Sequence, residues 1–254
     1  MSKYLRVKKG EKIIYCIMEN DLLREIKGNI YSDYILTNNV YKLDEVKILA
    51  PCEPSKIIGI GLNYYDAVKK NNAKVPVEPV VFLKPSSSII STDEPIIYPK
   101  LSNSVTYEVE LAVVIGKKTK NVSLENALEY VFGYTIANDV TSKDLLGKYG
   151  PWDVGKGFDT FLPVGPWIVT GIDPSNLVIS MKQNDETTQI SNTKEMIFNV
   201  ESIISYISSI MTLLPGDIII TGTPAGASEL NAGDILVGSI ENIGELKNNV
   251  LGGI

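Results

Sequence analysis

The 254-residue chain contains no histidine. Histidine is the side chain that most often acts as a general base near neutral pH, and it is also the commonest ligand for transition metals. Its absence therefore excludes a histidine general base and a histidine metal ligand anywhere in the chain. Any chemistry must depend on carboxylates, lysines, tyrosines, hydroxyl groups and the backbone.

Cysteines, long apolar stretches and basic runs are scarce as well. The two cysteines, Cys16 and Cys52, favour reduced thiols in a cytoplasmic protein over a disulfide. No apolar stretch approaches the roughly 20 residues of a membrane helix, and the charged N-terminus is unlike a signal peptide. With a net charge of −6, the chain is expected to bind neither nucleic acid nor membranes.

The chain does contain many short β patterns and few helical ones, which predicts an α+β, β-rich fold. Residues 1–51 are predicted to form a small N-terminal β domain, and residues 52–254 the main domain. Helices are expected at 123–131 and 200–211, where apolar residues recur at helical spacing, and a short polar helix is expected at 64–71. The order of the strands does not follow from these patterns.

Two glutamates stand in an otherwise apolar strand pattern, "TYEVELAVVIG" (106–116). Residues i and i+2 of a strand point to the same face, so Glu108 and Glu110 are expected side by side. Asp139 ends the next such pattern, "FGYTIAND" (132–139). Three carboxylates without histidine suit a hard divalent cation, which prefers oxygen ligands. The alternative is an edge strand whose glutamates face solvent, together with an Asn-Asp turn at Asp139.

A set of longer stretches is more specific than any of these patterns. In order along the chain they are "IIGIGLNY" (57–64), "PVVFLKPSSSI" (79–89), "YEVELAVVIG" (107–116), "GYTIANDVTSKD" (133–144), "KGFDTFLPVGPWIVT" (156–170), "QISNTKEMIF" (189–198) and "LLPGDIIITGTPAG" (213–226). Together they resemble the fumarylacetoacetate hydrolase family, in particular its small bacterial and archaeal isomerases and acylpyruvate hydrolases. The resemblance covers about residues 52–250, and it implies a mixed β-sandwich or roll in a homodimer.

The resemblance also implies roles for individual residues. Glu108, Glu110 and Asp139 match the family's metal ligands, for Mg²⁺ or Mn²⁺ with Ca²⁺ as a further candidate, and Lys156 matches its pocket lysine, a catalytic residue. The residues expected to bind the substrate are Tyr64, Lys143, Gly222 and Thr223. The implied substrates are small 2-oxo or diketo acids such as oxaloacetate and acylpyruvates. Isomerisation, decarboxylation and C–C hydrolysis of such acids share a metal-stabilised enolate.

The sequence departs from the family where hydrolytic members carry a histidine and a glutamate in a short lid helix. The aligned residues are Ala67 and Lys70, which cannot activate a water. Lys143 replaces the family's usual arginine, and Leu146 stands where many members have a glutamine. Mechanisms that need less base, such as tautomerisation or decarboxylation, are therefore favoured over hydrolysis. The alternative is a catalytically silent relative that binds a metal and a carboxylate.

Overall fold

A computed structural model of the protein describes residues 1–148 and 150–253. Nineteen strands lie within these ranges. They are β1 (Ser2–Lys9), β2 (Lys12–Glu19), β3 (Leu22–Gly28), β4 (Tyr34–Lys42), β5 (Lys47–Leu49), β6 (Ile57–Gly61), β7 (Val80–Lys84), β8 (Ile89–Ile90), β9 (Ile96–Tyr98), β10 (Val105–Thr106), β11 (Val109–Ile115), β12 (Val131–Asn138), β13 (Thr141–Ser142), β14 (Leu162–Thr170), β15 (Val178–Gln183), β16 (Glu186–Asn192), β17 (Ile218–Ile220), β18 (Ile235–Ile240) and β19 (Gly244–Gly252).

Helices contribute much less of the described chain. The α-helices are α1 (Tyr65–Lys70), α2 (Asp153–Lys156) and α3 (Val200–Ile210). The 3₁₀ helices are Leu43–Glu45, Ser86–Ser88, Leu124–Tyr130 and Thr193–Glu195. None of the helices in residues 1–148 and 150–253 is both long and apolar enough to cross a membrane.

The strands form one large sheet, a smaller sheet that packs against it, and a two-stranded sheet, β10-β13. The large sheet has the order β4-β3-β2-β1-β14-β12-β11-β17-β6-β7, with β5 and β8 attached at β1 and β14. The smaller sheet has the order β16-β15-β18-β19-β9. Most neighbours are antiparallel, but β17 pairs with β6, β14 with β8 and β19 with β9 in parallel. The predicted α+β, β-rich fold with mixed sheets is confirmed.

Strand β11 shows how the large sheet separates two apolar cores. Leu111 and Val113 point into the core shared with α3 and the smaller sheet. Ala112 and Val114 point to the opposite face, into a second core that also contains Tyr4 of β1 and Ile26 of β3. Because side chains alternate along a strand, Glu110 belongs to this second face. The candidate acids therefore lie on the face of the sheet that the smaller sheet does not cover.

Helix α3 matches its sequence pattern closely. Ile203, Ile204 and Ile207 are fully buried, as the spacing predicts. Asn199 is the N-cap, and its side chain accepts a hydrogen bond of 3.0 Å from the backbone N–H of Ser202, which satisfies one of the free donors of the first turn.

The helix predicted at 123–131 differs from the structure in type and in exposure. The segment is a 3₁₀ helix over Leu124–Tyr130, and strand β12 begins directly after it. Leu124 and Leu128, expected on a buried stripe, are exposed, whereas Ala127 is buried. A 3₁₀ helix stacks residues three apart on one face. Ala127 and Tyr130, three residues apart, pack against the core, whereas Leu124 at the start of the segment does not.

Both cysteines are buried free thiols, in agreement with the prediction from the sequence. Burial raises the pKa of Cys16 and of Cys52 to about 12. At pH 8 roughly one thiol in 10,000 is then ionised, and only the thiolate is nucleophilic. We expect the native protein to resist a chromogenic disulfide reagent, and both thiols to react after unfolding in denaturant. Rapid reaction of the native protein would contradict this environment.

Candidate metal centre

Three carboxylates come together where β11 and β12 lie side by side. Val109 pairs with Asn138 in the antiparallel register. The Asn138 side chain accepts a hydrogen bond of 2.9 Å from the Glu108 backbone N–H, and the Asp139 N–H donates to the Glu108 carbonyl at 2.8 Å. These bonds fix the strand ends, so that one oxygen from each of Glu108, Glu110 and Asp139 lies within 4.8 Å of the others. All three residues are buried.

Three lysines surround these carboxylates. Lys143 donates to one oxygen of Glu108 at 2.7 Å, and Lys156 donates to the other at 2.8 Å. Lys156 also donates a short hydrogen bond to Asp139, while Lys84 donates to the second Asp139 oxygen at 2.6 Å. The structure thus brings the three acids and Lys156 together in one place. Their functional roles stay predictions.

The lysines explain why buried acids are tolerated here. Burial alone would raise the pKa of Glu108, but the charges of Lys156 and Lys143 outweigh it and lower this pKa to about 2. Burial likewise opposes the charge of Lys156, yet Asp139 and Glu108 raise its pKa above the ordinary value. For Lys84, burial dominates and lowers the pKa, although Asp139 opposes this. Each charge is thus held by opposite charges in direct contact.

Glu110 is the exception among the three acids. One of its oxygens accepts a hydrogen bond of 2.6 Å from the Gly222 backbone N–H, but no lysine in the described chain forms a salt bridge with it. Burial, together with the nearby charge of Asp139, raises the pKa of Glu110 well above its usual range. A divalent cation would supply the missing positive charge, and an all-oxygen donor set suits Mg²⁺, Mn²⁺ or Ca²⁺. The residues present therefore fit a metal ion.

The carboxylates open into a cavity of about 170 Å³. Phe82 and Trp152 form an aromatic wall, with their ring centres 5.6 Å apart, and the Lys156 ammonium lies 4.9 Å from the centre of the Phe82 ring. Two glycines of β6 make this wall possible. A Cβ on Gly59 would come within 2.1 Å of Phe82, and one on Gly61 within 2.4 Å of Trp152.

The loop after β17 lies on the other side of the cavity. Gly222 and Thr223 line it, but the Gly222 N–H and the Thr223 hydroxyl already have partners. The Gly222 N–H holds Glu110, and the Thr223 hydroxyl donates to the Val109 carbonyl at 2.9 Å while accepting from Gln189 at 2.9 Å. Both residues thereby fix the loop against β11. Their predicted binding of a substrate carboxylate stays a prediction.

The lid helix α1 follows a firmly anchored turn. The Asn63 amide donates to the Thr221 carbonyl at 2.8 Å and accepts from the Phe198 N–H at 2.8 Å. Tyr64 is fully buried, and its hydroxyl has no hydrogen-bond partner in residues 1–148 and 150–253. It is not among the residues that line the cavity, so substrate binding by Tyr64 also stays a prediction.

The cavity face of the lid carries no acid or base. Ala67 and Asn71, one helical turn apart, line the cavity together with Leu146. Lys70 is exposed and does not line it. Because neither the methyl group of Ala67 nor the amide of Asn71 can accept a proton from water, the two lid residues that line the cavity are not suited to water activation.

Sequence reasoning missed Lys84, Phe82, Trp152 and Asn71. Lys84 had a usable signal, since it ends an apolar strand pattern, "PVVFLK" (79–84), in the same way that Asp139 ends another. Asn71 and Trp152 lie outside strands, where the sequence gives no periodicity from which to infer that a side chain reaches the cavity.

Comparison with known proteins identifies two families along the chain. Residues 56–251 match the fumarylacetoacetate (FAA) hydrolase C-terminal family, and residues 2–51 match the Rv2993c-like, N-terminal family. Both descriptions agree with the resemblance inferred from the sequence.

Individual relatives cover most of the chain. Protein MJ1656 of Methanocaldococcus jannaschii is 50% identical over 86% of this chain and 92% of its own length. Oxaloacetate tautomerase Fahd2a, mitochondrial, of Rattus norvegicus is 43% identical over 82% of this chain and 70% of its own length. The crystal structure of 2-hydroxyhepta-2,4-diene-1,7-dioate isomerase from Mycobacterium marinum superposes with a TM-score of 0.93 at 37% identity and covers 99% of both chains.

Proposed function

This chain belongs to the fumarylacetoacetate hydrolase family, and from that premise we propose that it is an enzyme that interconverts the keto and enol forms of a small 2-oxo dicarboxylic acid. Oxaloacetate is the first substrate to test, because a relative at 43% identity is named an oxaloacetate tautomerase. The observation that carries the proposal is the contrast within one cavity: buried carboxylates and lysines on one side, and Ala67 and Asn71 on the lid.

We propose Mg²⁺ as the metal, with Mn²⁺ as a substitute, held by Glu108, Glu110 and Asp139. When bound, such an ion acts as a Lewis acid and stabilises negative charge that develops on a substrate oxygen. Glu110 is the ligand with the strongest need for the ion, because the Gly222 N–H donates to this buried acid but no lysine among residues 1–148 and 150–253 forms a salt bridge with it.

The lysines have separate tasks in this proposal. Lys156 is buried, and Asp139 and Glu108 keep it positively charged, so its ammonium stabilises developing negative charge where water is largely excluded. Lys143 has a side chain that is 41% exposed. It lies at the mouth of the cavity and is placed to attract and orient a substrate carboxylate.

The lack of a base at Ala67 and Asn71 favours tautomerisation over hydrolysis. Hydrolysis needs a base that activates water, a contribution typically worth about 100- to 10,000-fold in rate. Tautomerisation only moves a proton between a carbon and an oxygen of one molecule. Once the developing charge is stabilised, water or buffer entering past Lys143 can accept and return that proton.

The decisive experiment follows the enol form of oxaloacetate by its ultraviolet absorbance, with Mg²⁺ present. We expect faster decay with the wild-type protein than with Mg²⁺ alone, and loss of the difference in Glu110→Gln. Glu125→Gln, which changes an exposed glutamate, is the matched control. If a panel of 2-oxo acids shows no tautomerisation, decarboxylation or hydrolysis above the metal-only rate, the catalytically silent alternative replaces this proposal.

The aromatic wall should limit the length of the substrate. Trp152 packs against Phe82 in one wall of the cavity. The cavity volume of about 170 Å³ suits a four-carbon diacid. We expect Trp152→Ala to raise KM for oxaloacetate by roughly tenfold, the usual cost of losing one good apolar contact surface, and to improve turnover of longer acylpyruvates. Steady-state kinetics on both substrates measure the two effects. Equal losses for short and long substrates would show that Trp152 does not set the length limit.

We also propose that residues 1–51 and 52–254 are separate domains of one subunit in a homodimer. Support for the division is that two family descriptions match on either side of residues 52–55, although β1 pairs with β14 and joins both parts into one sheet. Analytical ultracentrifugation tests the dimer, and a sedimentation coefficient typical of a 27.8 kDa monomer would contradict it.

A further inference from the structure

A second cavity, of about 420 Å³, lies between the N-terminal strands and the main part of the chain. Its walls come from β1, from the connecting residues 49–54 and from the segment 86–94 that follows β7. None of the residues that line it lines the cavity of the metal centre. The two cavities are therefore separate, although Lys84 at the metal centre is only two residues before Ser86.

Two hydrogen-bonding atoms in this second cavity have no partner in the described part of the chain. They are Nε of Arg6 and Oγ of Ser91. Only 11% of the Arg6 side chain is exposed, and Ser91 is 2% exposed. Buried polar groups normally have partners because an unmade hydrogen bond is costly. Both residues line one cavity and both atoms can donate a hydrogen bond, which points to an acceptor that reaches them from the cavity.

The charges around the cavity leave Arg6 available for such an acceptor. The partner of Arg6 is Glu53, at 2.7 Å, but 72% of the Glu53 side chain is exposed, so it can turn into solvent at little cost. The other acid of the cavity, Glu94, is already paired with Lys47 at 2.6 Å and accepts from the Ser91 N–H at 2.9 Å. Glu94 therefore does not compete for Arg6.

Apart from Ser86, the remaining walls are apolar and consist of Leu49, Ala50, Cys52, Pro54, Ile89 and Ile90. We propose that this cavity is an accessory binding site for a small monocarboxylic acid with an aliphatic chain. The carboxylate displaces Glu53 and binds the guanidinium of Arg6, whose planar fork suits two parallel hydrogen bonds to a carboxylate. Ser91 donates a further bond, and the aliphatic chain packs against the apolar walls. The site does not depend on the proposed tautomerase activity.

Hexanoate is the probe, titrated into the full-length protein by calorimetry with hexanamide as its uncharged counterpart. We expect saturable binding of hexanoate, and binding at least about tenfold weaker for hexanamide and for hexanoate with Arg6→Met, since bonds to a charged group are the strong ones. The chain has one other arginine, Arg24, which is 43% exposed on β3. Arg24→Met is the matched control and should bind hexanoate as the wild type does.

Two further variants keep the proposal open to refutation if Arg6→Met does not fold. Glu53→Gln removes the internal competitor from an exposed position, so hexanoate should bind more tightly, by a few-fold. Lys143→Ala alters the mouth of the metal-centre cavity and should leave hexanoate binding unchanged. The proposal is overturned if the wild type shows no saturable binding, if Glu53→Gln leaves the affinity unchanged, or if Lys143→Ala rather than Arg6→Met abolishes binding.

Discussion

Asp139→Asn should abolish activity and also destabilise the fold. The substitution removes a carboxylate that accepts hydrogen bonds from Lys84 and Lys156. Loss of one group of an electrostatic site typically lowers the rate by about 100- to 1,000-fold. In addition, the fully buried Lys84 side chain would lose the carboxylate that favours its charged form. Removing one member of a buried ion pair costs about 3–5 kcal/mol.

A double variant separates the two effects. Lys84→Met together with Asp139→Asn removes both charges of the buried pair, so most of the lost stability should return, whereas activity and Mg²⁺ affinity should not. Denaturant unfolding measures the stability, and calorimetry measures Mg²⁺ binding. Asp185→Asn, at an exposed turn, is the control for the charge change alone. Full activity in Asp139→Asn would mean that the metal site has been placed wrongly.

The sequence predicted this centre only in part, and the reason is geometric. Strand periodicity was sufficient to place Glu108 and Glu110 on one face, the polar end of the next strand pattern indicated Asp139, and the resemblance supplied Lys156. Neither strand periodicity nor the resemblance predicted contacts between strands that are distant in sequence. Lys84 and Asp139 are 55 residues apart, and their strands are not neighbours in the order β12-β11-β17-β6-β7, so no local pattern predicts their contact.

Local patterns also failed where packing decided the outcome. Both 123–131 and 200–211 show apolar residues at helical spacing, yet only the second is an α-helix. The difference is that Ile203 and Ile207 are buried in the core, whereas Leu124 and Leu128 are exposed. Most helical stability in proteins comes from such packing and less from the intrinsic propensity of the residues.

Restoring the lid dyad should convert the protein into a hydrolase. In the double variant Ala67→His with Lys70→Glu, the new imidazole enters the cavity that Ala67 lines. The new glutamate lies three residues further along α1, within reach of that imidazole. We expect hydrolysis of acylpyruvates to rise by about 100-fold or more, in line with general-base catalysis, whereas tautomerisation should change little. Acetylpyruvate turnover measured with Mg²⁺ tests this.

The missing histidines make this test unusually clear. Because the wild-type chain has none, any imidazole signal in the variant's NMR spectrum belongs to residue 67. A base must be unprotonated to accept a proton from water, so hydrolysis should rise with pH through the imidazole pKa, which is about 6.5 without perturbation. The neighbouring glutamate should shift the inflection upward. The matched control, Lys69→His with Asn72→Glu, places the same pair at exposed positions and should not hydrolyse acetylpyruvate. A folded double variant without a gain in hydrolysis would show that water activation at the lid is not what separates this chain from its hydrolytic relatives.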